Sequence, residues 1–509
     1  MPLIIRSLLT PERYPDQAKH VELVETHTSW LLLAGDFVYK IKKPITLPFL
    51  DYGSLDKRLE CCKTELRLNR RFAPDLYLDV VTIVGTPENP RFSNSGCPIE
   101  YAVKMRRFAE NGRLDRVCDR DELEPAHVSA LANAIATFHH DADIAPGNTR
   151  FGMPDEVVTP ALENFRELDS LLSDEGCKLK LDTLLTWTRS EFHRLATHFS
   201  TRKTAGYIRE CHGDLHLGNI VLIDGQVTLF DCIEFNEDYR WIDVASDIAF
   251  TYIDLLDHHQ PGLAGWLVNE WLCLSGDFDA IPVFRFYAAY RALVRAKVAA
   301  IRSSQTDGDI SKAREYIELA ERVTLPPKPT LTITHGLSGC GKTTVSTRLL
   351  LGDKNGSTLR LRSDIERKRL FGLTTAAKSN SSVDAGIYSK DAHQLTYQRL
   401  HDLTKTLLTS GWSVIVDAAF LQHAERDSFR MLAVELGLDF FILAPHASPE
   451  QLRERITGRL ESGHDASEAT LEVLAKQMAC IEPLDKIERE HLLLSAELPG
   501  CGEISERFF

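Results

Sequence analysis

The chain has 509 residues, 43% hydrophobic and 26% charged, with a formal net charge of -14. This composition excludes a disordered or fibrous chain, and the acidic balance argues against a general nucleic-acid or anionic-membrane surface, which would need a basic footprint. No apolar run approaches the roughly 20 residues of a spanning helix, the start Met1 to Arg6 lacks the long apolar stretch of a secretory signal, and the eleven cysteines contain no CxxC pair, so a cytoplasmic protein is expected.

In chain order, the first hundred or so residues alternate strand-like runs (Trp30 to Leu33, Phe37 to Ile41, Val80 to Val84, Tyr101 to Met105) with one charged helical stretch from Leu55 to Phe72. From about Asp121 to Arg322 the apolar spacing turns to about 3.6, with helices predicted over Ala126 to His139, Ala161 to Phe199 and Phe284 to Ile301. Inside this helical half lies His212-Gly213-Asp214-Leu215-His216-Leu217-Gly218-Asn219. Ile220 to Ile223 and Val227 to Phe230 follow as two strands around an Asp224-Gly225 hairpin turn, which returns Asp231 to the side of Asn219.

A kinase-like loop needs an aspartate facing the acceptor hydroxyl, an asparagine a few residues on for magnesium, and a second aspartate beyond a hairpin to complete the metal site. Asp214, Asn219 and Asp231 meet that demand. The loop, with Trp241-Ile242-Asp243-Val244-Ala245-Ser246-Asp247-Ile248-Ala249-Phe250 after it, resembles the aminoglycoside phosphotransferase and choline kinase superfamily. The resemblance implies a two-lobed protein-kinase-like fold over residues 1–325, with a small lobe to about 105, and a strand lysine that holds the phosphates of ATP. Lys40 and Lys42 share one strand face, so spacing does not choose between them; Lys40 is the preferred candidate, with Glu65 (or Glu60) as its helix partner. His212 is expected to organise the loop backbone. Antibiotic specificity does not follow: Glu234, Glu237 and Asp238 read as a solvated acidic loop, while Arg291, Arg295 and Lys297 form either a charged helix face or a site for an acidic substrate.

Leu325-Pro326-Pro327-Lys328-Pro329 breaks the chain, because prolines deny the donors and dihedrals of a regular element. A new domain is expected over 330–509. Leu331 to Thr334 leads into Gly336-Leu337-Ser338-Gly339-Cys340-Gly341-Lys342-Thr343-Thr344, a P-loop in its required strand-to-helix setting. Its amides would cradle phosphate, Lys342 would bridge the β- and γ-phosphates, and Thr343 would give an oxygen to magnesium. Further strands at Leu359 to Leu361, Val414 to Val416 and Phe440 to Leu443, separated by helices such as Ala392 to Thr409, predict a P-loop NTPase doubly wound parallel sheet. Asp364 and Asp417 each follow a strand end, where Asp364 could act as base and Asp417 could hold the metal.

Arg453, Arg455 and Arg459 run into a turn where Asp465 or Ser467 could cap the next helix, an arrangement suited to a lid over phosphates. These features resemble the P-loop kinases related to polynucleotide kinase, gluconate kinase and zeta toxins, a group often labelled AAA family ATPase. Across nearly its whole length the chain resembles bacterial bifunctional aminoglycoside phosphotransferase/ATP-binding proteins, including Glu65 to Arg71 and Tyr290 to Lys297. The resemblance implies an ATP- and magnesium-dependent phosphotransferase with two nucleotide sites and small hydroxyl acceptors. Two alternatives are that one domain only senses nucleotide and that the P-loop half phosphorylates polynucleotide 5′-hydroxyls. The net charge makes nucleic acid the less favoured partner.

Overall fold

The structure, a computed structural model, describes residues 1–16, 18–47, 50–305, 308–375, 377, 386–462 and 469–493, without the side chains of 459–462. The fold class is the expected one: a protein-kinase-like fold followed by a P-loop parallel sheet. By contact density the chain forms two compact units, Met1–Thr159 with Phe199–Asp254, and Pro160–His198 with Leu255–Phe509. The second unit therefore groups helices upstream of the proline break with the P-loop sheet.

In the first unit a six-stranded antiparallel sheet takes the spatial order Val21–Glu25, Ser29–Ala34, Phe37–Lys42, Pro98–Arg106, Tyr77–Thr86, Asn89–Phe92. Period-two alternation sorts the strand Phe37–Lys42. Tyr39 and Ile41 enter an apolar core with Ile5, Leu8, Trp30 and Leu32, which leaves Lys40 and Lys42 together on the opposite face. There they meet the helix Leu55–Asn69, whose amide at Lys57 is capped by Ser54 at 3.3 Å. The helix buries Arg58, Cys62, Glu65 and Asn69 at three- and four-residue spacing, so a carboxylate is delivered to the lysine face by the same stripe that packs the helix.

The predicted hairpin is present as Ile220–Ile223 paired with Gln226–Leu229. Asp224 and Gly225 take φ of 51° and 77°, the left-handed pair of a tight turn. One helix prediction is corrected: Ala161 to Phe199 is not continuous but belongs to two helices, Pro154–Leu171 and Glu175–Thr204. Asp174 ends the gap, accepting from the Cys177 amide at 2.8 Å. An acidic side chain that accepts from the amide three residues on starts a new helix at a point where apolar periodicity alone shows no break.

In the second unit, parallel strands lie in the order Thr358–Arg362, Ser413–Asp417, Thr330–Thr334, Asp439–Leu443. Non-consecutive neighbours joined through helices align all the carboxyl ends, where ligands of such sheets bind. The helix Pro261–Ser275 holds the outer strand, with Asn269 Oδ1 accepting from the Arg360 amide at 2.7 Å, and packs closely on the helix Lys342–Leu351, where a Cβ placed on Gly262 would lie 1.9 Å from the Leu351 carbonyl oxygen. Among the described residues, no helix is long and apolar enough to cross a membrane.

Candidate active sites

The loop of the first unit is assembled from its own backbone. Gly213 has a φ of 85°, and a Cβ there would come within 2.5 Å of the Tyr239 carbonyl oxygen, so only glycine fits. The amides of His212 and Gly213 donate to the two oxygens of Asp247 at 3.0 and 2.9 Å. His212 Nε2 meets the Phe230 carbonyl at 2.9 Å, and its ring stacks on Phe72. Burial holds the His212 pKa below the usual histidine value, so a neutral imidazole donates this bond. The sequence assigns Asp247 no role, although it lies in the Trp241 to Phe250 segment. An aspartate as the fourth residue of a helix start, Val244-Ala245-Ser246-Asp247, ahead of an apolar run is the available signal.

Asn219 donates from its amide nitrogen to the Asp214 carbonyl at 2.9 Å and to Asp214 Oδ2 at 3.1 Å, which leaves the carboxamide oxygen as the acceptor. The Phe230 amide donates to the Asn219 carbonyl at 2.9 Å, bringing Asp231 beside Asn219. Asp231 has a φ of 63°, a left-handed conformation rare for a side-chain-bearing residue outside functional turns, and its amide donates to Tyr77 Oη at 3.0 Å.

Lys40 Nζ lies 2.8 Å from Glu65 Oε1 and 2.5 Å from Asp231 Oδ1. Burial alone would push this ammonium down, but Asp231 and Glu65 outweigh it and hold its pKa well above the lysine value. The same contact outweighs the partial desolvation of the half-buried Asp231 and lowers its pKa. Glu60 is exposed. Lys42, only 1% exposed, is ion-paired with Glu65 and Glu234, and Tyr52 donates its hydroxyl to Glu234. The expectation of a solvated Glu234 is therefore corrected: it is buried, while Glu237 and Asp238 pair with Arg240 and Arg150. The structure pairs Lys40 with Glu65 and Asp231, joins Asn219, Asp214 and His212 by hydrogen bonds, and links the two sets through Phe230, which bonds both Asn219 and His212 and precedes Asp231. Asp214, Asn219 and Asp231 offer oxygen donors, the set a hard divalent cation takes.

In the second unit, Gly336, Gly339 and Gly341 have φ of 140°, 85° and 102°. These left-handed conformations bend the loop tightly before the helix Lys342–Leu351 begins, and glycine alone adopts them without strain. Lys342 Nζ donates to the carbonyls of Gly336 and Leu337 at 2.9 and 2.8 Å. The Ser338 amide donates to Gln477 Oε1 at 2.8 Å, and Arg455 Nη1 to the Gly339 carbonyl at 3.1 Å. Cys340 faces inward, packed with Leu452, Ile456 and Leu474.

A cavity of about 480 Å³ is lined by Ser338, Gly339, Gly341, Lys342, Thr343, Thr344, Asp364 and Asp417, among others. In-register pairing of Arg362 with Asp417 sets Asp417 at the end of one strand, while Asp364 lies past the end of the neighbouring strand in the first turn of the helix Ser363–Leu370. Ser346 Oγ donates to Asp417 Oδ2 at 3.4 Å, and Arg367 Nη1 to Asp364 Oδ1 at 3.1 Å. Gln477 and Arg367 were not identified from the sequence, although Arg367 follows Asp364 at a three-residue helical spacing that could have signalled it. His335 Nδ1 meets the Phe420 carbonyl at 2.9 Å, and burial lowers its pKa too.

The helix Leu471–Cys480 is capped by Thr470, which accepts from the Val473 amide at 3.4 Å, rather than by Asp465 or Ser467; those two, and the Arg459 side chain, lie outside the described residues. Arg291, Arg295 and Lys297 are taken up within their own unit: Arg291 is buried beside the Tyr290 ring, Arg295 donates to Tyr316 Oη at 3.1 Å, and Lys297 pairs with Glu167 at 3.1 Å.

Residues 331–484 match the family model of the AAA domain. Over 466 residues the chain is 28% identical to an uncharacterized protein of Mycobacterium tuberculosis, an alignment covering 90% of each chain. Among solved structures it is similar to a choline/ethanolamine kinase family protein from Mesorhizobium loti, with 12% identity, 64% of this chain and 96% of that chain covered, and a TM-score of 0.40. It is also similar to the APS kinase of Mycobacterium tuberculosis in complex with AMPPNP and APS, with 25% identity, 28% and 78% covered, and a TM-score of 0.23.

Proposed function

We propose that the chain is an ATP- and magnesium-dependent phosphotransferase with two nucleotide sites, one in the kinase-like part (residues 1–325) and one in the P-loop part (330–509), each transferring phosphate to an alcohol of a small molecule or nucleotide. The observation that carries this reading is the pairing of Lys40 with Glu65 and Asp231, with Asp231 brought next to the Asn219–Asp214 pair by the Phe230 amide bond to Asn219, together with a P-loop whose Lys342 shares a cavity with Asp364 and Asp417. Asp214 would take the acceptor proton, and Lys40 would orient phosphate oxygens while Glu65 fixes its position. Asn219 and Asp231 would hold magnesium, as would Thr343 and Asp417 in the P-loop part, where oxygen ligands again suit the ion. When bound, magnesium would neutralise the charge of the phosphates. In the P-loop part, the amides of Ser338 to Thr344 and the Lys342 ammonium would bind phosphate, with Asp364 as base and Arg455 and Arg459 closing over it.

The described cysteines are free thiols, which supports a reducing, cytoplasmic setting. Transfer of labelled γ-phosphate from ATP to a metabolite library tests the assignment in the full chain. Asp214→Asn should abolish one set of labelled products and Lys342→Ala another. If neither variant removes any product, the two-site reading fails.

A further inference from the structure

The kinase-like site contains a second buried lysine that the proposed chemistry does not use. Lys40 and Lys42 stand two residues apart on one strand face, and the fully buried Glu65 carboxylate is divided between them: Oε1 to Lys40 at 2.8 Å and Oε2 to Lys42. Beyond Glu65 their surroundings diverge. Lys40, with a side chain 10% exposed, contacts Asp231, whereas Lys42, with a side chain 1% exposed, continues inward to Glu234, which also accepts from Tyr52. Glu234 lies three residues after Asp231. Lys42 thus joins the lysine strand, the helix of Glu65 and the segment that carries Asp231.

We infer that Lys42, held by Glu234 and Tyr52, is a positioning residue for nucleotide binding: it occupies half of the Glu65 carboxylate and thereby leaves Lys40 able to exchange Asp231 for phosphate. This inference rests on the proposed nucleotide site of the kinase-like part. The charge balance explains why two lysines are needed. Lys40 and Lys42 face Glu65, Glu234 and Asp231, two positive groups against three negative ones, of which Glu65 and Glu234 are buried while the Asp231 side chain is 42% exposed toward the side from which a ligand would come. Without Lys42 the buried carboxylates of Glu65 and Glu234 would have Lys40 as their nearest ammonium, and Lys40 would be bound too strongly by Glu65 to turn toward a ligand. Lys42 itself is enclosed by Glu65, Glu234 and the Tyr52 ring, 5.3 Å from its ammonium, and so is shielded from the phosphate position.

The test measures binding of magnesium-AMPPNP by calorimetry in the full chain carrying Lys342→Ala, which silences the P-loop site. If that background binds no nucleotide, the proposed function of the kinase-like part fails before the inference is reached. If it binds, Lys42→Met should weaken affinity about 10- to 100-fold, the range for residues supporting a direct ligand. Adding Glu234→Gln should restore most of that affinity, because the excess carboxylate goes with the lysine. Lys40→Met should weaken binding as well, but Glu234→Gln should not rescue it. Lys42→Arg, which keeps the charge, serves as the measurement if Lys42→Met does not fold, and should bind within a few-fold of the background. An unrescued or unfolded double variant would overturn the inference, as would wild-type affinity in Lys42→Met.

Discussion

The two candidate sites satisfy a buried or half-buried lysine in opposite ways. In the first unit Lys40 is neutralised by side chains, Glu65 and Asp231, each drawn from a different segment of the chain. In the P-loop Lys342 rests on the carbonyls of Gly336 and Leu337, six and five residues before it. A side-chain network is costly to break, because any survivor is left charged and poorly solvated. A local backbone contact can be given up to a ligand with little effect on the rest of the fold. The kinase-like site is therefore coupled to the stability of its unit, while the P-loop lysine is largely uncoupled from it.

The sharpest way to break this comparison is to remove each lysine in turn. Lys40→Met should destabilise its unit by about 3–5 kcal/mol, as for a broken buried pair, whereas Lys342→Met should cost about 1 kcal/mol or less, since its carbonyl partners lie at a cavity where water can replace it. Calorimetric unfolding of the full chain reads both, and equal losses would refute the distinction. Next in size are the glycines. Gly213→Ala combines a left-handed φ with a clash against Tyr239 and should cost about 2–4 kcal/mol. Gly341→Ala meets nothing closer than Arg455 Nη1 at 3.9 Å, so only backbone strain of about 1–2 kcal/mol applies. A larger loss for Gly341→Ala would reverse the ranking.

The histidines provide the case in which the two units should behave alike. His212 and His335 are each kept neutral by burial, so the unfolded chain binds protons there that the folded chain does not. Their stabilising effect is complete above about pH 6.5 and declines as the pH falls below it, by up to about 1.4 kcal/mol per pH unit for each group. Urea midpoints that stay flat from pH 7.5 to 5.5 would show that the imidazoles protonate without penalty. The smallest expected effect concerns Gln477, whose side-chain oxygen occupies the Ser338 amide. Gln477→Ala should tighten nucleotide binding at the P-loop about 2- to 10-fold, the worth of one hydrogen bond no longer competed for.

Much of this arrangement was legible in the sequence because it depends on local chemistry. The Asp224-Gly225 turn and the P-loop glycines specify backbone conformations, and the strand ahead of the P-loop is marked by its β-branched residues. What was illegible depends on contacts between distant segments. Lys40 and Lys42 have the same periodicity, and only the approach of Asp231 and Glu234 distinguishes them. Glu234 read as solvated because its partners, Lys42 and Tyr52, lie 192 and 182 residues away. Gln477, too, touches a loop 139 residues upstream, a relation that no local pattern encodes.

The grip of the helix Pro261–Ser275 on the strand Thr358–Arg362 has a practical consequence for anyone dissecting the chain. The Arg360 amide lies on the outermost strand of the parallel sheet, and its hydrogen-bond partner comes from 91 residues earlier, across the proline-rich break. A fragment cut at those prolines would present a bare strand edge, of the kind that invites pairing with other molecules. The punctuation of the polypeptide and the boundary of its cooperative unit are different things, and a stable P-loop fragment has to begin before residue 261.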